Sequence, residues 1–205
     1  MTLALPPGEF RAYLFDCDGT IADNMPLHFR AWQQALGEHG CELSEELFYA
    51  WGGRSVLDII VDLNAAQGLD MPVPEVDRRR EELYQELLPE LTAVPEVVWH
   101  VEDGHGRVPM AVVSGGTREP VSLSLCTLGL LDRFDVLVCA GEYTRGKPDP
   151  ECFLLAAAHL GVAPEHCLVF EDTDLGMQAA AAAGMAAVRV PPPWERTPSA
   201  ALGNH

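Results

Sequence analysis

Five short apolar runs punctuate the chain: AYLFD (12–16), MAVVS (110–114), DVLVCA (135–140), CLVFE (167–171) and AAVRV (186–190). None alternates apolar with polar, so each predicts a strand covered on both faces, and such strands belong to parallel sheets. The segments between the last four carry helical punctuation. Residues 118–129 have Pro near the start and Gly at the end, and residues 150–161 repeat this, the usual asymmetry of helix termini. Residues 174–184 open on an N-cap-like Asp174 and close on Gly184. Strand and helix in alternation predict a doubly wound, Rossmann-like α/β sheet.

The first strand breaks this rhythm, because the next good strand begins only at residue 110. The interval reads as helices over roughly 25–39, 44–51, 55–67 and 74–91, separated by Gly40, Gly52-Gly53 and Gly68. The expected organisation is an α/β catalytic core of residues 1–20 and 93–205, with a helical-bundle cap, 21–92, inserted after the first strand. The tail PPPWERTPSAALGNH reads as irregular.

Composition narrows the field. The chain has 205 residues, 48% of them apolar, which is enough for a real core. A formal net charge of -18 argues against nucleic acid as a partner. Six cysteines form no C-x-x-C pair and no zinc spacing, so buried free thiols in a reducing compartment are expected. The N-terminus shows no basic, signal-like start and no 18-residue apolar run occurs. A soluble, cytoplasmic monomer without a membrane partner is the expectation. The cations are twelve arginines and one lysine, Lys147.

Candidate chemistry lies at the strand ends. Asp16 and Asp18, in DCDGT, are one residue apart. Alone they read as a turn, where Asp and Gly gather for backbone reasons. In open parallel sheets, however, ligands bind at the carboxyl ends of strands. The second strand ends in Ser114, Gly115 and Gly116; the third is followed by RGKPDP, with Lys147; the fourth ends in Glu171-Asp172-Thr173-Asp174. Carboxylates for a metal and a nucleophile, a hydroxyl with Gly amides for an anion, and one ammonium would meet on one rim. A lysine before Pro in a loop is ordinarily a solvated charge. In a chain that otherwise uses arginine, its retention points to a need for a compact ammonium.

DCDGT, a strand-end Ser, GKPDP and EDTDLG, in that order, resemble the four motifs of the haloacid dehalogenase superfamily. The stretch DGTIADNMPLHFRAW, with AAAAAGM at 179–185, is similar to its β-phosphoglucomutase-like and sugar-phosphatase (fructose-1-phosphatase-like) members with a small helical cap. The resemblance implies that Asp16 is a nucleophile forming an aspartyl-phosphate and that Asp18 is the acid and base. It implies Mg²⁺ held by Asp16, the Asp18 backbone carbonyl and Asp172, with Glu171 as ligand or neighbour. Thr20, Ser114, Gly115 and Gly116 would surround the phosphate, and Lys147 would bridge it to Asp16. In the cap, His28, Gly53 and Arg54 are the candidate substrate contacts.

Plainer readings stand beside these. Glu171 to Asp174 also suit a helix cap, with Asp174 the capping residue. Trp32 reads as core, Arg78-Arg79-Arg80 as a solvated helix face, and Cys17 as a passenger. Arg118 either stands in for a phosphate-binding lysine or points away. Among reactions, dehalogenase relatives lack the second aspartate, whereas Asp18 is present. Phosphonate hydrolysis in the superfamily needs a cap lysine, and residues 21–92 contain none. The readings left are a phosphatase of a small phosphorylated sugar or polyol, a β-phosphoglucomutase, and a degenerate binding domain. The last predicts loss of Asp16, Asp18, Lys147 or Asp172, and all four are present.

Overall fold

The computed structural model of the chain describes residues 2–51 and 54–196. Five strands form one parallel sheet: β1 (Ala12–Phe15), β2 (Met110–Val113), β3 (Val136–Val138), β4 (Cys167–Glu171) and β5 (Ala186–Arg189). Their spatial order is β3-β2-β1-β4-β5. The order reverses between β1 and β4, where Phe15 pairs with Phe170. That junction is the switch point at which doubly wound sheets bind ligands.

The continuous apolar runs divide as covered strands should. Phe15, Val112, Leu168 and Phe170 face one buried cluster, and Leu14, Ala111, Val113 and Val169 face the other. Phe15 and Phe170 stack at 4.6 Å and 9°. The second cluster is closed by Phe153 of α7 (Glu151–Leu160) and Ala179 and Ala180 of α8 (Asp174–Ala182). The helix after β2, α6 (Arg118–Thr127), covers the other face, where its Val121 and Leu125 join the first cluster.

Between β1 and β2 the chain makes α1 (Met25–Gly37), α2 (Glu45–Ala50), α3 (Val56–Gln67), α4 (Val73–Leu87) and α5 (Pro95–Gly104). The first four match the predicted helices. The fifth, PEVVWHVEDG, has Pro at its first turn and buries Val97, His100 and Val101, a pattern the strand-centred reading passed over. The chain enters and leaves this helical insert through paired linkers. Asp23 N donates to Thr92 O, Val94 N to Ile21 O, and Ala22 bridges Ala93.

Five of the six cysteines are buried and all are free. Burial pushes the Cys17 thiol well up, so the residue between the two aspartates is no thiolate nucleophile at neutral pH. Among the described residues, no helix is long and apolar enough to cross a membrane.

Candidate active site

Strand β1 delivers Asp16 to the switch point, where its N–H donates to Phe170 O at 3.0 Å and its side chain is buried. The chain then turns on Gly19, whose φ is +81°. A Cβ there would lie 2.3 Å from Asp172 Oδ2, so glycine is needed twice, for the turn and for the approach of a carboxylate. Thr20 is fully buried and donates its hydroxyl to Asp172 Oδ1 at 3.0 Å. It therefore orients Asp172 rather than contacting Asp16.

Lys147 uses all three of its protons. Nζ donates to Asp16 Oδ1 at 2.6 Å, Glu171 Oε2 at 2.7 Å and Val113 O at 3.2 Å. Burial works against its charge, but the carboxylates of Asp16 and Glu171 more than reverse this, and its pKa is raised. The compact ammonium read from the sequence is thus seated among three oxygens that a planar guanidinium does not match.

Glu171 is fully buried and spoken for on both oxygens: Oε2 by Lys147, and Oε1 by Thr173 N at 2.9 Å and Thr173 Oγ1 at 2.7 Å. Thr173, not Asp174, caps α8, accepting from Gly176 N at 3.0 Å. Asp174 instead pairs with Arg189. Threonine serves better because its hydroxyl both accepts the helix N–H and donates to Glu171. Gly176 gives Glu171 its room: a Cβ would lie 2.0 Å from Glu171 Cδ. Gly176→Ala is therefore expected to cost at least about 2 kcal/mol through overpacking and to lower activity by displacing the partner of Lys147. Denaturant unfolding and turnover of the variant check both.

Asp18 sits differently. Its Oδ1 accepts from Asn24 Nδ2 at 2.5 Å and lies 3.9 Å from His28 Nε2, and 37% of its side chain is exposed. Burial pushes its carboxyl up, but His28 and Asn24 outweigh this and hold it below the usual range. Asp16 and Asp172 go the other way. Burial, with Glu171 adding, raises Asp16 well above the carboxylate range despite Lys147, and pushes Asp172 up to about 7. Two aspartates separated by a single residue, Asp16 and Asp18, are thereby driven in opposite directions, as paired acid–base sites are.

His28, on α1, stacks on Tyr84 of α4 at 4.0 Å and 8° and faces the cleft. Ser114 is buried and accepts from Gly116 N at 3.0 Å, while Gly115 and Gly116 line the cleft. Arg118 points away, held by Glu142 at 2.7 and 2.9 Å. Arg54 runs along α3 to Asp62 at 2.6 Å rather than lining the cleft. Gly53 lies outside the described residues. Trp32 is core, as expected, beneath the Arg80 guanidinium.

Three functional-site residues escaped the sequence reading. Asn24 is fully buried and bonds Asp18, Tyr84 Oη (3.0 Å) and Gly19 N (3.2 Å). It occupies the N-cap of α1 yet makes no side-chain cap bond; a good capping residue turned to another task was the available signal. Tyr84 was hidden as one aromatic on an amphipathic helix. Arg196, in the tail expected to be irregular, reaches Gly19 O at 2.7 Å, Pro191 O at 2.7 Å and Asp23 Oδ1 at 2.8 Å. It ties the tail to the turn behind the aspartates, and nothing local announces that.

The donor set suits a hard cation. Asp16, Glu171 and Asp172 each bring an oxygen within 4.8 Å of the others. The second oxygens of Asp16 and Asp172 accept no side-chain hydrogen bond among the described residues. With Asp18 this makes four carboxylates around one ammonium, a surplus of negative charge that a phosphate dianion would only worsen. Oxygen donors and excess charge are what Mg²⁺-like ions require.

Carboxylates gathered at the switch point of a parallel sheet, beneath a helical insert, place the chain among α/β enzymes. The sequence profile of the haloacid dehalogenase-like hydrolases matches residues 10–184, and the chain belongs to that family. It is 38% identical over 185 residues to fructose-1-phosphate phosphatase YqaB of Escherichia coli, covering 89% of this chain and 97% of YqaB. It is 29% identical over 194 residues to beta-phosphoglucomutase of Bacillus subtilis, covering 88% and 83%. The crystal structure of CbbY from Rhodobacter sphaeroides in complex with phosphate superposes with a TM-score of 0.74 at 26% identity, covering 89% of this chain and 86% of CbbY.

Proposed function

We propose that this hydrolase is a Mg²⁺-dependent phosphatase of small sugar or polyol monophosphates, acting through an aspartyl-phosphate on Asp16. The observation that carries this is the Lys147 ammonium held between Asp16 and Glu171, beside a second aspartate whose protonation is tuned the other way. The similarity to a fructose-1-phosphate phosphatase supports the sugar phosphate. In this reading residues 1–20 and 93–205 form the catalytic core, and 21–92 the cap that carries the substrate contacts.

Asp16 and Asp172, with the Asp18 carbonyl, would hold Mg²⁺, and Glu171 would act from behind by fixing Lys147 and Thr173. Mg²⁺ bound there supplies the positive charge that lets a carboxylate approach a phosphate dianion. A carboxylate oxygen of Asp16 attacks phosphorus; the bond to the sugar oxygen breaks as Asp18 gives that oxygen a proton. Asp18 then takes a proton from water, which attacks phosphorus, and the bond to Asp16 breaks to release phosphate. The free site keeps Asp18 ionised. A phosphate dianion arriving beside it raises its pKa, so its protonation is coupled to substrate binding. Lys147 balances charge on the transferring group, and Ser114 with the Gly115 amide holds its oxygens.

The mutase reading needs a second phosphate site in the cap, and Arg54, its sequence candidate, is paired with Asp62. Hydrolysis is therefore preferred. Chelation by EDTA is expected to reduce phosphate release from fructose 1-phosphate to background, with recovery on adding Mg²⁺. Failure of recovery would remove the metal from the proposal. Metal binding must also strip protons from Asp16 and Asp172, whose pKa values lie above the ordinary range. Mg²⁺ affinity should thus be high above pH 8 and fall as pH drops through about 7. Calorimetry at pH 6 and pH 8 measures the difference and the protons released.

A further inference from the structure

Beyond the phosphate end of the site opens a cavity of about 890 Å³ between α4 and the start of α6. That is the size of a small-molecule site and much larger than phosphate alone. Asp18, Gly115 and Gly116 mark its phosphate end. The far walls carry Asp77, Glu81, Glu82 and Glu119 against Arg78 and Arg80.

Both arginines are already engaged by carboxylates of their own helix. Arg80 contacts Asp77 at 2.8 Å and Glu81 at 3.3 Å, and lies 5.6 Å over the Trp32 ring. Arg78 pairs with Glu82 at 2.5 Å. The arginines are therefore neutralised, and the wall keeps a surplus of negative charge. Of the uncharged polar groups on the same walls, Tyr84 and Ser124 are buried and bonded to each other at 3.3 Å, which leaves Thr117 and Gln85 to meet hydroxyls.

We infer that this cleft selects phosphate monoesters whose remaining part carries no second negative charge, and that Asp77, Glu81 and Glu82 enforce the choice by occupying Arg78 and Arg80. This rests on the phosphatase reading and narrows its substrate class. A sugar bisphosphate would bring a second dianion against surplus carboxylates in a partly closed cleft. Unit charges a few ångström apart in such a setting interact strongly enough to change affinity by about tenfold or more. Neutralising the three carboxylates does two things at once: it removes repulsion and releases two guanidinium groups that bind phosphate bidentately.

The test uses the full-length enzyme with Mg²⁺ and p-nitrophenyl phosphate as reporter, and fructose 1-phosphate and fructose 1,6-bisphosphate as competitors. The monophosphate is expected to inhibit at a concentration at least about tenfold lower than the bisphosphate at low salt, with the gap narrowing as salt screens the charges. In the Asp77→Asn/Glu81→Gln/Glu82→Gln variant the ratio should shift toward the bisphosphate by about tenfold or more. Equal inhibition by the two sugars, a gap that salt does not move, or an unchanged ratio in the variant would each overturn the inference. Absence of phosphate release from both p-nitrophenyl phosphate and fructose 1-phosphate would overturn the phosphatase reading itself, and this inference with it. Release with equal inhibition sinks only the inference.

Discussion

The Asp16→Asn variant is expected to lose phosphate release by at least about 10³-fold, because only binding and electrostatic positioning survive removal of a nucleophile. It is expected to fold no worse than the parent chain, and in EDTA to be more stable. The reason lies in the direction of the Asp16 shift. Burial raises its pKa in the folded state, so the unfolded chain releases this proton more readily, and stability falls as pH rises from the ordinary carboxylate range toward neutrality. An asparagine keeps an oxygen for Lys147 and cannot ionise. Activity and stability then move in opposite directions, as they do where a group is kept for function. Turnover, with denaturant unfolding at pH 5 and pH 8 in EDTA, reads both. A variant that is merely misfolded would lose stability along with activity.

The second large effect falls on Lys147. Lys147→Ala leaves Asp16 and Glu171 buried without their shared cation, and breaking a buried pair in this way costs about 3–5 kcal/mol. Phosphate release should fall by about 10²-fold or more with the loss of charge balance at the transferring group. Added Mg²⁺ should return part of the stability, since it neutralises the same carboxylates, and little of the activity. Lys147→Arg is also expected to fail. The ammonium sits 12% exposed between oxygens at 2.6, 2.7 and 3.2 Å, and a planar fork is too large for that seat. Unfolding with and without Mg²⁺, alongside turnover, checks each statement. An active Lys147→Arg variant would show that any cation suffices.

Much of this was legible in the sequence because it rested on short-range rules. Uninterrupted apolarity in β1, β2 and β4 announced strands covered on both faces. Their polar ends then fell on one rim, because parallel strands all point the same way. What was lost depended on which partner a side chain takes, sometimes far along the chain and sometimes close by. Arg196 meets Gly19 from the far end of the chain, and Asn24 meets Tyr84 across two helices. Thr173 rather than Asp174 capped α8 because Glu171, buried beside it, needed a donor as well as an acceptor. Arg54 was favoured in the cap for its position in a Gly-rich loop, yet Asp62, on the helix that directly follows, claims it. Local pattern reports which residues can do chemistry; the partners already holding them are a property of the fold.

The central claim is that phosphate passes through Asp16 before reaching water. Two in-line displacements restore the original configuration at phosphorus, whereas direct attack by water inverts it. Hydrolysis, in water of a third oxygen isotope, of fructose 1-phosphorothioate made chiral at phosphorus is therefore the most direct measurement, because the thiophosphate released carries sulfur and three oxygen isotopes and so keeps a configuration. Retention of configuration in the released thiophosphate is the predicted result, and inversion would contradict the account.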